Sequence, residues 1–283
     1  MQQRQFEING LRLAALEWPG EGLPVIALHG WLDNAASFIP LAPHLEGVHL
    51  LALDLPGHGH SGHLPSSGAY HLSDNCRWVA AVADAMGWQR FALLGHSMGA
   101  AAAAITAAAM PQRIAGLALI DGLGPLAYTP EQELERLRQL FNAEPARPQR
   151  PFTDLETAVR VRQRQGRFTI STEAAHLITE RGMLAVEEGY QWRHDPRLKG
   201  PNTHYYCEVQ AEGVLRGIEA KTLLISADNG SFKGWQGFAR RKGCIARLEH
   251  VELPGGHHLH METPQAVAQI LNSYYEKRTE GAT

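Results

Sequence analysis

Short apolar runs separated by Gly, Pro and Asn fill the first quarter of the chain, and this pattern predicts closely spaced strands. The runs FEI and LRLAALEW are joined through Asn9-Gly10, a dipeptide that favours a two-residue hairpin turn. VIALHG and LLALD are nearly continuous apolar runs, which is typical of strands buried on both faces of a parallel sheet. We therefore expect an opening hairpin followed by central strands of a sheet.

From Leu72 onward the predicted strands alternate with predicted helices. A helical stretch over residues 72–86 ends at Gly87, RFALLGHS has the pattern of a strand, and a second helix over residues 98–110 is stopped by Pro111. The run IAGLALID then forms the next strand. Such a βαβα succession predicts an α/β fold with a mostly parallel, doubly wound sheet flanked by helices.

This alternation stops after the sixth predicted strand. About a hundred residues between Asp121 and Lys221 hold helical stretches and polar turns but no buried-strand run, whereas a crossover needs only about a dozen. We interpret residues 125–217 as a mainly helical cap, and residues 1–124 together with 218–283 as the core. The core pattern resumes with TLLISA, a helical stretch over residues 234–241, ARLEHVEL and a final helix over residues 263–277, which brings the sheet to eight strands.

The first half of the cap is rich in arginine, with six acidic residues interspersed between Glu131 and Glu156. We interpret this mixture as a solvated helical surface, and the alternative is a funnel for an anionic substrate. The arginines are Arg136, Arg138, Arg147, Arg150, Arg160, Arg162, Arg164 and Arg167.

The composition and the net charge limit which classes of partner the protein is expected to bind. Hydrophobic residues make up 44% of the chain, and the net charge is −3, from 26 Lys+Arg against 29 Asp+Glu. With so small a net charge the protein does not attract nucleic acid or an anionic membrane electrostatically, so we expect small neutral molecules as partners.

The opening MQQRQFEING lacks the pattern of a secretion signal, and no run of about 18 strongly apolar residues occurs. We expect a cytoplasmic protein that is a monomer or a homodimer. Its three cysteines, Cys76, Cys207 and Cys244, indicate neither a disulfide framework nor a zinc knuckle.

The segment GHSMG, residues 95–99, matches G-x-S-x-G between a predicted strand and a predicted helix. A serine at such a turn is held in a strained conformation that exposes its hydroxyl, and the tight reversal requires small flanking residues. Ser97 is therefore the predicted nucleophile. The following helix N-terminus places the backbone N–H of Met98 near an oxyanion formed on the attacked carbonyl. The alternative is a chance match in which Ser97 only caps the helix.

A second segment, HGWLDN, follows another buried strand. Gly30 allows the backbone to turn inward, so the N–H of Trp31 is the predicted second oxyanion donor beside that of Met98. The indole of Trp31 is a candidate for a core or lid contact. We expect His29, Gly30 and His96 to line the substrate site.

Histidines cluster near the end of the chain in PGGHHLHMETP. His257, His258 and His260 lack both an accompanying cysteine and an H-E-x-x-H helix, so we expect no metal and no cofactor. A loop histidine after the last strand suits the chain order Ser, acid, His, and it would accept the proton of Ser97. His58 and His60, in the turn DLPGHGHS, are interpreted as structural rather than as a metal pair.

The four motifs HGWLDN, DLPGHGHS, GHSMG and GGHHLHMETP, in this order, resemble the α/β-hydrolase family. HGWLDNAASF is similar to the serine-hydrolase-like subgroup of that family. The resemblance covers roughly residues 6–124 and 218–277, and in the cap only WRHDPRL is familiar. It implies an α/β-hydrolase fold and makes His257 the catalytic base, with His258 and His260 as neighbours.

The resemblance places the family's usual acid three residues after Ala227, where this chain has Gly230. Asp121 ends the strand that follows the elbow helix, so in a parallel sheet it emerges at the same edge as Ser97. Some α/β-hydrolases carry their acid there, and LALIDGLGP resembles their sequence. We expect Asp121 to be the acid. Asp228, in the loop after TLLISA, is the alternative, and a site without a carboxylate is a third.

These residues predict a cofactor-free serine hydrolase that cleaves small to medium carboxylic esters through an acyl-enzyme. Amide, lactone, thioester and C–C bonds remain open as substrates, because one fold hosts many reactions. A serine at the elbow argues against the halide and epoxide branches, which use a carboxylate nucleophile. The competing hypotheses are a ligand-binding or scaffold protein with little turnover, and a metallohydrolase built on His257, His258 and His260.

Overall fold

The structure is a computed structural model that describes residues 1–142, 150–164, 168–202 and 204–279. Eight strands form one sheet in the order β1-β2-β4-β3-β5-β6-β9-β10, and two further strands form a separate hairpin. The strands are β1 Gln2–Ile8, β2 Leu11–Trp18, β3 Leu23–Leu28, β4 Val48–Asp54, β5 Phe91–His96, β6 Ile114–Ile120, β7 Met183–Val186, β8 Gly189–Trp192, β9 Thr222–Ala227 and β10 Leu248–Leu253.

Nine α-helices occur in the described part of the chain. They are α1 Asn75–Ala85, α2 Met98–Ala109, α3 Pro130–Asn142, α4 Leu155–Arg164, α5 Thr172–Gly182, α6 Glu208–Arg216, α7 Phe238–Lys242, α8 Leu259–Glu262 and α9 Pro264–Thr279. None of these described helices is both long and apolar enough to cross a membrane.

The sheet has the predicted architecture. Strand β1 pairs antiparallel with β2 and β2 with β4, and the other five pairings in the sheet are parallel. The turn between β1 and β2 has positive φ at Asn9, 51°, and at Gly10, 76°, which is the type I′ geometry that Asn-Gly favours. The prediction of a mostly parallel eight-stranded sheet is confirmed.

Two apolar clusters cover the two faces of the sheet. Successive residues of a strand point to opposite faces, so Leu51 and Leu53 of β4 pack in one cluster with α1 and α2, while Leu50 packs in the other with α9. The alanine-rich helix α2 approaches the sheet closely. A Cβ on its Gly99 would lie 2.0 Å from the carbonyl oxygen of Leu28, so only glycine fits there.

The parallel strands end at a common edge of the sheet, so the loops that follow them lie close together. Strands β3, β4, β5 and β10 lead directly into the motifs HGWLDN, DLPGHGHS, GHSMG and GGHHLHMETP, and β6 leads into Asp121. The four motifs of the sequence therefore meet at one rim of the sheet.

The cap between β6 and β9 is mainly helical, as predicted, but it also contains the antiparallel hairpin β7–β8. The sequence does not reveal this hairpin because its strands are short and half-exposed, so they carry no buried-strand run. Helix α7 is also shorter than predicted. The exact division at residues 124/125 and 217/218 stays a prediction.

The interpretation of the cap arginines as a solvated surface is wrong for Arg162. Its side chain is buried and forms an ion pair with Asp33 of the core. Arg181 of α5, also buried, donates from Nη2 to Asp54 at 2.7 Å. Buried arginines need such partners, and here they attach the cap to the core. Arg147 and Arg167 lie outside the described residues.

Candidate active site

Ser97 occupies a strained turn between β5 and α2. Its backbone has φ 53° and ψ −115°, a conformation that costs about 1–3 kcal/mol for a non-glycine residue. Hydrogen bonds hold the turn: the N–H of Ser97 donates to Ile120 at 3.0 Å, and its carbonyl accepts from Ala100 at 3.0 Å. A Cβ on Gly95 would lie 2.5 Å from the Cα of Ala100, so the reversal requires glycine there. The sequence motif thus has the backbone geometry that exposes a nucleophile.

Asp121 and His257 are hydrogen-bonded. The Nδ1 of His257 donates to Oδ2 of Asp121 at 2.5 Å, and the carboxylate is fully buried. Two backbone N–H groups also donate to Asp121, from Ala227 at 3.1 Å and from Ser231 at 2.7 Å. Because a carboxylate accepts, Nδ1 carries the proton, which leaves Nε2 as an acceptor.

Ser231 contacts both members of this pair. Its Oγ lies 2.9 Å from Nδ1 of His257, and its N–H donates to the same oxygen of Asp121 that accepts from the imidazole. Sequence reasoning missed Ser231, because a serine in a polar loop carries no signal that separates it from other turn residues. It restrains the imidazole and the carboxylate from one side.

Gly230 leaves room for the Asp121 carboxylate. A Cβ built on Gly230 would lie 2.4 Å from each carboxylate oxygen of Asp121, closer than any real contact. The group that approaches His257 therefore occupies the space that a side chain at position 230 would need.

Asp228 makes different contacts. Its Oδ1 accepts from the N–H of Gly255 at 2.9 Å and from the Asn229 amide at 2.9 Å. These bonds join two loops at the exposed surface. Among the described contacts, none connects Asp228 with His257.

Two backbone N–H groups are candidates for an oxyanion hole. Asp33 N donates to Gly30 at 3.1 Å and Leu32 has φ 60°, so the chain turns sharply around Trp31. Within the described residues, neither the N–H of Trp31 nor that of Met98 donates to another backbone group. The Trp31 indole is 47% exposed and donates to the carbonyl of Leu198 in the cap at 3.0 Å, which is a lid contact.

His29 was predicted to line the substrate site, but its ring is fully buried. Nδ1 donates to the Gly30 carbonyl at 2.7 Å, and Nε2 accepts from the N–H of Leu55 at 3.0 Å. Because Nε2 accepts a hydrogen bond, the ring is neutral, and burial lowers the pKa of His29 in the same sense. With both nitrogens used, His29 joins two loops instead of facing a ligand.

The ring of His96 is also fully buried, contrary to its predicted place in the substrate lining. Its Nε2 donates to the backbone carbonyl of His257 at 2.9 Å, so it anchors the loop that carries the candidate base. Burial holds the pKa of His96 well below its usual range. Gly30 is the third residue of the predicted lining. Its backbone packs against the His96 ring, since a Cβ on Gly30 would lie 3.0 Å from Nδ1 of His96.

Asp33 is the centre of a buried polar cluster that the sequence did not reveal. One carboxylate oxygen pairs with Arg162, and the other lies 3.5 Å from Nε2 of His258 and 3.8 Å from Nδ1 of His96. Burial acts to raise the pKa of Asp33, but the Arg162 guanidinium and the His258 ring hold it well below its usual range. The cluster ties the loop after β3 to the cap and to the histidine loop.

Asp33, His96 and His258 are also the described residues with the spacing of a partial metal site, since their ligand atoms lie within 4.8 Å of one another. The guanidinium of Arg162 already supplies a positive charge to this carboxylate, and that charge opposes a metal cation. The three loop histidines do not form such a group, because His257 is directed to Asp121.

His58 and His60, the two histidines of the turn after β4, differ in their burial. His58 is buried, its Nδ1 lies 3.1 Å from the Pro56 carbonyl, and burial lowers its pKa to about 3. The His58 ring also packs edge-on against His29 at 4.9 Å between centroids. His60 is partly exposed. The structural interpretation of His58 agrees with these contacts.

Phe168 of the cap stacks on His257. The ring centroids are 4.4 Å apart and the planes differ by 26°. No sequence signal places a cap phenylalanine over the histidine, because the contact spans two distant parts of the chain. It brings the cap directly onto the candidate active site.

Comparison with known proteins identifies the family. Residues 24–264 match the sequence model of a protein family whose description is alpha/beta hydrolase fold. The chain belongs to the α/β-hydrolase family. This α/β hydrolase is 33% identical to a serine hydrolase-like protein of Dictyostelium discoideum, across 95% of this chain and 80% of that protein. It thus falls in the serine-hydrolase-like subgroup, and the predicted resemblance is confirmed.

Solved structures agree with this assignment. A hypothetical protein from Pseudomonas aeruginosa PAO1 is 39% identical, covers 98% of this α/β hydrolase and 100% of itself, and superposes with a TM-score of 0.92. The thioesterase domain from the curacin biosynthetic pathway is 25% identical, with 96% and 98% coverage and a TM-score of 0.81. The fold prediction is confirmed by both.

Proposed function

We propose that this α/β hydrolase is a serine esterase that cleaves small to medium carboxylic esters through an acyl-enzyme. One observation carries the proposal: the hydrogen bond of 2.5 Å between Asp121 and His257, at the strand end where the N–H of Ser97 donates to Ile120. A carboxylate that fixes the Nδ1 proton prepares Nε2 to accept a proton from a hydroxyl. These are the parts that acyl transfer by a serine needs.

In the proposed first half-reaction, Ser97 Oγ attacks the ester carbonyl carbon while Nε2 of His257 takes the hydroxyl proton. The carbonyl π electrons move to oxygen, and the N–H groups of Trp31 and Met98 donate to that oxyanion. The tetrahedral intermediate then collapses, the bond to the alcohol oxygen breaks, and His257 returns the proton to the leaving alkoxide.

Water completes the cycle. His257 takes a proton from water as the hydroxide attacks the acyl-serine carbonyl, and the second tetrahedral intermediate expels Ser97, which regains the proton. Asp121 stays ionised throughout and stabilises the imidazolium that forms in both halves. One donor of an oxyanion hole contributes on the order of 3 kcal/mol to such a transition state.

The cap contacts support a limited substrate size. Phe168 stacks on the imidazole and the Trp31 indole donates to a cap carbonyl, so in this proposal the acyl and alcohol groups bind between cap and core. The curacin thioesterase domain makes a thioester a second candidate substrate, because the same nucleophile and oxyanion donors serve either acyl bond.

The first test is an activity screen over p-nitrophenyl esters of rising chain length, together with labelling by a fluorophosphonate probe. We expect turnover that is greatest for short or medium acyl chains, and labelling that Ser97→Ala abolishes. Ser273→Ala, at an exposed position of α9, is the matched control and keeps both signals. Labelling without turnover of any ester or thioester would favour the ligand-binding hypothesis, and labelling that survives Ser97→Ala would remove the nucleophile assignment.

A further inference from the structure

A cavity of about 480 Å³ lies where the loop after β4 meets the cap hairpin. None of the residues that line it belongs to the proposed triad or oxyanion hole. Its volume falls within the range of small-molecule sites, about 300–1,000 Å³. The wall combines core residues on β2 and in the loop of residues 59–63 with cap residues of β8 and the segment that follows it.

The wall is basic. Arg12 and Arg193 line the cavity from opposite elements, and His60, His63 and His194 add three imidazoles. No carboxylate belongs to the described lining. A concave surface with one sign of charge concentrates ligands of the opposite sign.

Two carboxylates of the neighbouring elements are already paired with other arginines. Asp54 accepts from Nη2 of Arg181 at 2.7 Å, and Asp195 accepts from Nη2 of Arg197 at 2.6 Å. His63 Nδ1 lies 3.6 Å from Asp195, at the limit of an ion pair. Among the described contacts, neither lining arginine forms an ion pair, although Glu7 lies opposite Arg12 in the β1–β2 hairpin.

A backbone hydrogen bond restrains the side chain of Arg193. Its Nε donates to the carbonyl of Met183 at 2.8 Å, and among the described hydrogen bonds none uses its two terminal nitrogens. Burial, together with the charges of Arg12 and Arg181, lowers the pKa of Arg193. An anion in the cavity would relieve this repulsion and use the free donors.

Two further residues extend the site. His194 lines the cavity and is buried, with 6% of its surface exposed. Its Nε2 nevertheless has no hydrogen-bond partner. Trp192 packs against His194 with ring centroids 5.7 Å apart and adds an aromatic surface to the wall. Burial lowers the pKa of His194 to about 4, so the ring is neutral at neutral pH and one of its nitrogens can donate a hydrogen bond to an anion.

We propose that this cavity binds a small phosphate monoester with an aromatic or other ring substituent. Two guanidinium groups from different elements suit a tetrahedral dianion, because its three terminal oxygens can be shared between two guanidinium groups, whereas a carboxylate offers only two oxygens in one plane. The ring lies against Trp192. This site is separate from ester cleavage and does not depend on it.

Titration calorimetry with phenyl phosphate at neutral pH tests the proposal. We expect saturable binding at pH 7.5, where the phosphate is mainly a dianion, and weaker binding of inorganic phosphate, which lacks the ring. Arg12→Gln and Arg193→Gln should each raise Kd by about tenfold or more, since each removes a charge-assisted contact. Arg77→Gln, an exposed arginine on α1, is the control and leaves Kd unchanged.

Arg12→Gln decides the outcome if Arg193→Gln does not fold. The side chain of Arg12 is exposed, and its contact with the loop is made by its backbone carbonyl, which accepts from the N–H of Gly62 and is kept in the variant. Absence of saturable heat, or equal Kd values in wild type and Arg12→Gln, would overturn the proposal, as would binding no different from that of sodium chloride at matched ionic strength. Ester turnover measured on the same samples keeps the two questions apart, because a protein without phosphate binding can still cleave esters.

Discussion

The carboxylate of Asp121 lies where a side chain on Gly230 would have to be. A Cβ at position 230 would approach both carboxylate oxygens to 2.4 Å, while the same carboxylate accepts from Nδ1 of His257 at 2.5 Å. A side chain at position 230 and the carboxylate of Asp121 therefore exclude each other. In this chain the residue after β6 supplies the carboxylate that is bonded to His257, and the loop after β9 has glycine.

Asp121→Asn should reduce turnover by about 10³–10⁴-fold, because an amide at this position no longer fixes the Nδ1 proton or stabilises the imidazolium. Steady-state kinetics on the best p-nitrophenyl ester measure the effect. The matched control is Asp228→Asn, which should stay within about twofold of wild type, since Asp228 only joins two surface loops. A large loss in the control and a small one in Asp121→Asn would reverse the assignment.

Gly230→Ala should also lower kcat strongly, although alanine carries no reactive group. Its Cβ displaces the Asp121 carboxylate or the loop, and a misplacement of about 1 Å in a catalytic group costs on the order of a hundredfold. Gly213→Ala is the control, because a Cβ there has no neighbour within 4 Å. We further expect the exchange Asp121→Gly with Gly230→Asp to recover part of the activity that Asp121→Gly loses. No recovery would show that the two loops are not interchangeable supports for the acid.

Arg162→Gln should destabilise the protein by about 3–5 kcal/mol, because it leaves the buried carboxylate of Asp33 without its ion-pair partner. Denaturation in urea, with the midpoint and slope compared, measures the loss. Arg160→Gln on the same helix is the control, since Arg160 is exposed and should change stability by less than about 0.5 kcal/mol. Additive effects of Arg162→Gln and Asp33→Asn in a double-mutant cycle would contradict the pairing.

The buried histidines predict a loss of stability in mild acid. Burial lowers the pKa of His58 to about 3 and that of His260 to about 3, so each is neutral in the folded protein but takes up a proton in the unfolded chain below about 6.5. Their contribution is complete above that pH. It declines as the pH falls from 6.5 towards 3, by up to about 1.4 kcal/mol per pH unit for each ring.

Unfolding free energies at pH 7.5 and 5 measure this slope. His58→Gln should reduce it, whereas His176→Gln should not, because His176 is partly exposed on α5. An identical slope in wild type and His58→Gln would contradict a neutral buried His58.

The pattern of apolar runs was enough to predict the parallel sheet, the interruption by the cap and the placement of the motifs at strand ends. Burial on two faces and the tight turn around Ser97 are local demands, and they leave local traces such as VIALHG and the glycines of GHSMG. The Asn9-Gly10 hairpin is local in the same sense. These features could be predicted because each depends on residues that are close in sequence.

Only the tertiary structure decided the contacts between distant segments. The exclusion between Gly230 and Asp121, the ion pair of Arg162 with Asp33 and the stacking of Phe168 on His257 each join segments about 90 to 130 positions apart in the chain. His29 and His96 carried a misleading signal, because a histidine in a glycine-rich loop looks the same in sequence whether it meets a ligand or bonds to buried backbone groups. Burial and the direction of each polar atom separate these cases, and both arise only when the whole chain has packed.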